Sequence, residues 1–93
     1  MRVVWSPRAT RELKSHCAYI ARDRPRAALE VAERIVAAVE RLATFPESVA
    51  TSTDHTTRVL PVPRTGLLMI YRVNEQALWI VTVRHQMQAP FKR

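Results

Sequence analysis

Two apolar runs in the second half of the chain show the clearest pattern of hydrophobic and polar positions. Leu67–Val73 and Ala77–Val83 flank the polar triplet Asn74-Glu75-Gln76. Apolar runs of this length on either side of a short polar link are typical of a β-hairpin. A two-stranded ribbon is only marginally stable by itself, so the rest of the chain should supply more strands and a cover for one face.

The side chains of this hairpin divide into two faces because they alternate along each strand. If Val73 lies opposite Ala77, then Tyr71 faces Trp79 on a side that is wholly apolar. The other side is apolar in its middle and cationic at its ends. We therefore expect helices to cover the face of Tyr71 and Trp79, and the opposite face to be a working surface.

Two helices are predicted before the hairpin. Ser6-Pro7 is a strong helix start, because Ser can cap the helix and Pro lacks only an N–H that would be unpaired there. This first helix should run to about Arg22, and Pro25 should open a longer one that ends at Phe45-Pro46. The link between them is so short that they should fold back as an antiparallel hairpin. Their apolar positions recur at helical spacing: Ala9, Leu13, Cys17 and Ile20, then Ala28, Ala32, Ile35, Val39 and Leu42.

The remaining segments supply two more strands. Arg2–Trp5 is a short β-branched and aromatic run, and Thr57–Val62 is a second one in which Pro61 should lie at an edge or at the strand's end. The polar segment Glu47–Thr56 between them has no periodicity and indicates a loop. The sequence therefore predicts a single α+β domain over residues 1–93, with the order β-α-α-β-β-β and an antiparallel-rich sheet packed against a two-helix antiparallel hairpin.

The charge of the chain points to anionic partners. Fifteen Lys and Arg against eight Asp and Glu give a net charge of +7, and 47% of the 93 residues are hydrophobic. Thirteen of the cations are Arg, the better side chain for holding phosphates and carboxylates in a forked pair of bonds. The balance favours polyanions or acidic proteins as partners, and the alternative is a basic surface that only aids solubility.

Several classes of protein do not fit the sequence. The single Cys17 excludes an intrachain disulfide and suits a reducing cytoplasm, where it would serve as a small buried hydrophobe. We expect neither an export signal nor a membrane span. His16, His55 and His85 have no metal-ligand spacing, with His16 expected at the boundary of the core, and one glycine excludes the glycine-rich phosphate loops. We therefore expect no metal and no cofactor.

The candidate chemistry lies in a group of cationic side chains on or beside the last three predicted strands. The arginines could hold phosphates, and the histidine could exchange a proton near neutral pH, so a ribonuclease-like site is conceivable. The alternative is that the arginines only cap the exposed ends of an apolar face and the histidine ends a strand. The group comprises Arg58, Arg64, Arg72, Arg84 and His85, and the basic tail adds Lys92 and Arg93, which could reach a partner.

Several short motifs, taken in order, resemble the RelE/ParE superfamily of bacterial type II toxins. They are Trp5-Ser6-Pro7 at the start of helix one, Leu42 followed by Phe45-Pro46, the triplet Tyr71-Arg72-Val73, and Arg84-His85-Gln86. The resemblance covers nearly the whole chain. It implies a β-α-α-β-β-β toxin that is encoded beside an antitoxin which wraps it and blocks its action.

The resemblance also implies a choice between two branches. RelE-like toxins cleave ribosome-bound mRNA with a basic residue early in the third strand and a His or Tyr near the C-terminus. Here the first position is Leu68, which cannot stabilise a phosphorane, whereas His85 is retained. The sequence therefore favours the ParE-like branch, which poisons DNA gyrase by protein contact and for which we expect growth arrest, plasmid stabilisation and no enzymatic activity.

Two alternatives stay open beside gyrase inhibition. One is an mRNA endonuclease with His85 and Arg58 as catalytic residues, and the other is a non-toxic binding module. For a gyrase inhibitor, the predicted target-binding residues are Arg72, Arg84, His85, Lys92 and Arg93. The resemblance further implies a ParD-like antitoxin in a hetero-oligomer, whose C-terminal segment docks as a helix and a strand. The net charge of +7 leads us to expect that segment to be acidic and partly amphipathic.

Overall fold

The order of helices and strands agrees with the predicted one. The computed structural model describes residues 2–45, 57–74 and 76–87, so the predicted loop Glu47–Thr56 and the tail after Met87 lie outside the described residues. The α+β class and the β-α-α-β-β-β order are confirmed. The elements are β1 (Arg2–Trp5), α1 (Pro7–Ala21), α2 (Pro25–Thr44), β2 (Arg58–Val62), β3 (Leu67–Val73) and β4 (Ala77–His85).

Both helices begin where the sequence predicts. The Ser6 hydroxyl accepts a hydrogen bond from the N–H of Ala9 at 2.9 Å, which satisfies one of the unpaired donors of the first turn of α1. Pro25 opens α2 after a link too short for anything but a reversal of direction, so the helices pack as an antiparallel hairpin. Neither described helix is long and apolar enough to cross a membrane.

The four strands form one mixed sheet against this hairpin. Their spatial order is β1-β4-β3-β2, with β1 parallel to β4 and the other two pairs antiparallel. The core lies between the sheet and the helices. It is formed by side chains of both layers, among them Ile35, Val39 and Leu42 of α2, Met69 and Tyr71 of β3, and Leu78, Ile80 and Val83 of β4.

The register of the β3–β4 hairpin differs from the predicted one. Val73 lies opposite Leu78, not Ala77, because Asn74 closes a tighter turn. The Asn74 N–H donates to the Ala77 carbonyl, and its side-chain oxygen accepts from the backbone N–H groups of Gln76 and Ala77 at 2.8 and 2.9 Å. A slip of one residue transfers side chains to the other face. The prediction that helices cover Trp79 is therefore wrong.

A β-bulge in β4 reverses this effect over the second half of the strand. Tyr71 lies opposite Ile80, whereas the preceding Ile70 lies opposite Thr82, so Val81 is one extra residue. The bulge returns Val83 to the buried face, as the sequence predicted. The first half of β4 thus turns Trp79 outward, and the second half directs Val83 into the core.

Candidate functional site

The face of the sheet that points away from the helices carries a cationic and aromatic concavity. Arg72 of β3 and Trp79 of β4 lie directly opposite each other on this face. Both side chains are exposed, Trp79 to 42%. The concavity measures about 610 Å³ and is lined by Ser6, Arg58, Arg72, Val73, Asn74, Trp79, Ile80 and Val81.

Neighbouring elements of the fold position the residues that line this concavity. The Ser6 N–H donates to the Ile80 carbonyl at 3.0 Å, and the Ser6 hydroxyl donates to the Val81 carbonyl at 2.7 Å. Ser6 therefore ties the junction of β1 and α1 to the bulge of β4. Arg58 begins the edge strand β2 and adds a second cation to the lining. The site thus rests on strands and on a capped helix start, which position side chains more firmly than loops do.

The lining consists of cationic, aromatic, aliphatic and small polar side chains. The described residues around the concavity include two arginines, a tryptophan and small polar groups, but no His, Asp or Glu. Arg and Trp are the side chains that most often dominate the binding energy of protein interfaces. Lys, Tyr and Cys also serve as general acids or bases, and none of these is among the described lining residues either. Such an arrangement is suited to binding an anionic or aromatic surface.

The other predicted site residues on β4 lie away from this concavity. Arg84 is paired with Leu68, and His85 with Leu67, at the far end of the β3–β4 ladder from Trp79. Five residues of extended strand separate Trp79 from Arg84, which corresponds to roughly 16 Å. The structure therefore does not gather the predicted cationic group into one site.

His85 also lies on the side of the sheet that faces the helices. The strand partner of His85, Leu67, is buried in the core. The charge of His85 acts on His16 of α1. The His85 Nδ1 atom accepts from the Met87 N–H at 3.1 Å, and Nε2 lies close above Gly66. His85 thus fixes the end of β4 and the turn before β3.

Sequence reasoning missed a polar cluster on α1 at the edge of β4. Because β1 stops at Trp5, no strand of the described residues lies beside the second half of β4 on that side. The Glu12 carboxylate accepts from the Thr82 hydroxyl at 2.5 Å and from the Val83 N–H at 3.1 Å. His16 forms a hydrogen bond with the backbone of Val83. The sequence contains a signal for this cluster: the first predicted strand is shorter than the last, and two polar residues four apart, Glu12 and His16, follow on the first helix.

The pKa of His16 reflects this position. Burial lowers the pKa of His16 below its ordinary value of 6.5, and the positive charge of His85 lowers it further. The Glu12 carboxylate and the hydrogen bond to Val83 act in the opposite direction but do not outweigh burial. Half-buried His16 therefore favours its neutral form.

The remaining candidates are placed as follows. Arg64 lies in the turn between β2 and β3 and lines a separate groove beside α2. Lys92 and Arg93 lie outside the described residues, so their role stays a prediction. Cys17 packs against the core, and burial raises the pKa of its thiol, which makes it a poor nucleophile. Among the described residues, no three His, Cys, Asp or Glu side chains come together as a metal site.

Comparison with known proteins identifies the family. The profile of the family described as "ParE toxin of type II toxin-antitoxin system, parDE" matches residues 3–90. The protein named "Putative toxin Y4kP", from Sinorhizobium fredii (strain NBRC 101917 / NGR234), is 37% identical over 87 residues, which cover 94% of this chain and 90% of that protein. A structure titled "Chromosomal ParDE TA system from P. aeruginosa" shares the fold, with a TM-score of 0.79 and 22% identity over 91% of this chain and 95% of that one. The chain therefore belongs to the ParE toxin family of type II toxin–antitoxin systems, in which an antitoxin is its partner.

Proposed function

We propose that this toxin acts by binding DNA gyrase through the concavity around Arg72 and Trp79, and that a ParD-like antitoxin neutralises it. The observation that carries the proposal is the cross-strand pair of these two exposed side chains on the open face of the sheet. Trp and Arg are the side chains that most often contribute strongly to binding at protein interfaces. Such a pair supports a contact surface.

The composition of the concavity supports contact over RNA cleavage. Ribonucleases transfer protons with positioned acids and bases, which contribute ~10²–10⁴ in rate. None of the described lining residues is a His, Asp or Glu, and Leu68 stands where RelE-like toxins have a basic residue. His85 lies on the opposite face and interacts with its own surroundings. These observations support gyrase inhibition over mRNA cleavage as the proposed activity.

Two purified assays on the same protein preparation test this proposal. In the first, the toxin is titrated into gyrase with relaxed plasmid and ATP, and loss of supercoiling is measured. In the second, it is added to translating ribosomes, and mRNA ends are mapped. We expect loss of supercoiling with intact mRNA. Cleavage of ribosome-bound mRNA without an effect on supercoiling would establish the endonuclease instead, and inactivity of the folded protein in both assays and in growing cells would indicate a non-toxic binding module.

A further inference from the structure

We propose that the outward face of α1 is a binding surface for the phosphate backbone of duplex DNA. The inference goes beyond the proposed function and draws on it only for a source of the ligand, because gyrase acts on duplex DNA. The surface shares no residue with the concavity around Arg72 and Trp79. We call it the α1 stripe, and its exposed residues are Arg8, Arg11, Ser15, Tyr19 and Arg22.

The α1 stripe follows one side of the helix. Its members are three or four positions apart, close to whole turns of 3.6 residues, so all five lie within about a quarter of the helix circumference. From Arg8 to Arg22 the stripe extends about 21 Å along the helix axis. Tyr19 is 73% exposed. The stripe is therefore a continuous row of accessible side chains on a convex surface.

The single acid of α1 is turned away from most of the stripe. Glu12 is the only acidic residue of this helix. Its carboxylate accepts hydrogen bonds from the Thr82 hydroxyl and the Val83 N–H of β4, and it pairs with Arg8 at 3.5 Å. This carboxylate is thus shared between the edge of β4 and one end of the stripe.

The other cations of the stripe have no acidic partner in the part of the chain that the structure describes. Arg11 and Arg22 form neither an ion pair nor a side-chain hydrogen bond there, although Asp23 follows directly in the sequence. Exposed Lys14 lies beside the stripe and adds a fourth cation. The charges of α2 are balanced instead, with three Arg and three Glu. The positive potential of the helix hairpin is therefore concentrated on α1.

The side chains of the stripe are of the types that contact phosphates. Proteins bind DNA phosphates through Arg and Lys and through Ser, Thr, Asn, Gln and Tyr. Each member of the stripe can donate a hydrogen bond. Phosphates of one strand follow each other at about 3.4 Å along the DNA axis, so the stripe spans about six of them. It contains no aliphatic side chain and so lacks the apolar centre that protein interfaces have.

The helical shape of the stripe favours DNA over duplex RNA. The major groove of B-DNA is about 12 Å wide and admits an α-helix, whereas the major groove of A-form RNA is too narrow. Because α1 packs against α2 and β4, only its outward face can approach such a groove. The stripe contains no Asn or Gln, the side chains that read adenine, so we expect binding without strong sequence preference.

The test measures the Kd of the folded toxin, without gyrase, for a fluorescent DNA duplex of about 20 bp at about 50 to 200 mM salt. With four cations engaged, log Kd should rise with log salt at a slope of about 3–4. Arg11→Gln/Arg22→Gln should lower this slope by about 2 and weaken binding about tenfold or more at low salt. Arg34→Gln/Arg41→Gln removes the same charge from α2 and should change the Kd by less than about threefold.

A second variant adds a charge and leaves every cation in place. Ser15→Glu puts a carboxylate in the middle of the stripe and should weaken DNA binding about tenfold, because it repels the phosphates. Ala37→Glu, at an exposed position of α2, is the matched control and should have a much smaller effect. Circular dichroism verifies that all variants are folded.

The outcomes separate the DNA surface from the proposed target. The proposal is overturned if the unchanged toxin does not bind the duplex, or if the two stripe variants bind it as tightly as their α2 controls. Tighter binding of an RNA duplex of the same sequence would also overturn it. If the unchanged toxin does not inhibit gyrase, the proposed target fails, but the DNA affinities still decide the role of the stripe.

Discussion

Glu12 of α1 accepts a hydrogen bond from the backbone N–H of Val83 at 3.1 Å, and so a side chain bonds an edge of β4 that no strand among the described residues covers. The first strand ends at Trp5, and the β4 backbone beyond Ile80 would otherwise present unpaired groups at that edge. The Ser6 hydroxyl forms a hydrogen bond with the Val81 carbonyl, and the Glu12 carboxylate forms one with the Val83 N–H. The start of α1 is thereby fixed against β4 by directional bonds as well as by apolar packing.

Removal of the Glu12 carboxylate should destabilise the fold. Glu12→Ala leaves the buried Thr82 hydroxyl and the Val83 N–H without their acceptor, at a cost of about 1–3 kcal/mol for each group. Glu12→Gln keeps one oxygen and should lose less. Urea unfolding gives the free energies, with Glu33→Ala on the exposed side of α2 as the control. Equal losses for Glu12→Ala and Glu33→Ala would contradict the role of Glu12 at the strand edge.

Ser6 should contribute more to stability than an ordinary helix cap. Its hydroxyl accepts from the Ala9 N–H and donates to the Val81 carbonyl, so Ser6→Ala removes two interactions. The cap alone is worth about 1 kcal/mol, and the second bond should add a similar amount. Ser15→Ala, on the exposed side of the same helix, is the matched control and should change the free energy of unfolding by less than about 0.5 kcal/mol. A loss for Ser6→Ala no larger than that of the control would refute this account.

The stability of the protein should fall in mild acid because of His16. Burial holds the pKa of His16 below 6.5 in the folded chain, so the unfolded chain takes up its proton first as the pH falls. The contribution is complete above pH 6.5 and is lost between that value and the lower folded pKa. The measurement is Tm from about pH 7.5 to about pH 5 for the protein and for His16→Gln. The Tm of the variant should fall less, and parallel curves would exclude His16 as the cause.

The mutation of His85 separates contact from cleavage. If His85 only fixes the end of β4 through Met87 and Gly66, His85→Ala should lower stability but leave gyrase inhibition within about threefold. If His85 were a general acid or base, the same change would reduce mRNA cleavage by ~10²–10⁴. Initial rates in both assays, with folding verified by circular dichroism, decide between these results. A folded His85→Ala protein that has lost all toxicity would count against the contact account.

The sequence was sufficient for the elements and insufficient for the pairing of two of them. Ser6-Pro7 and Pro25 define the helix starts through local chemistry, and the helical spacing of apolar residues then defines their buried faces. The hairpin depended on geometry that its apolar residues do not encode. The side chain of Asn74 tightens the turn, and Val81 adds a bulge. The predicted and the observed registers of the hairpin are both compatible with the same alternation of hydrophobic positions.

The candidate site was predicted in its residue types but not in its grouping. Arg72 and Arg84 were both expected near one working surface, and the structure places them at different ends of the β3–β4 ladder. Trp79, the expected core residue, lies beside Arg72 because of the one-residue change in register. The polar cluster of Glu12 and His16 was missed although the predicted first strand is shorter than the last, because the sequence pattern does not show that α1 lies along the edge of β4 that β1 leaves uncovered.

The measurement that tests the central claim most directly is the inhibition of gyrase supercoiling by Arg72→Ala and Trp79→Ala. Each substitution removes one half of the exposed pair, and each should reduce inhibitory potency about tenfold or more. Arg72→Lys keeps the charge but loses the planar fork, so its potency should lie between those of Arg72→Ala and the unchanged toxin. Arg26→Ala is the control for loss of an exposed arginine and should inhibit as the unchanged toxin does. Full inhibition by both concavity variants, or no inhibition by the unchanged toxin, would contradict the account.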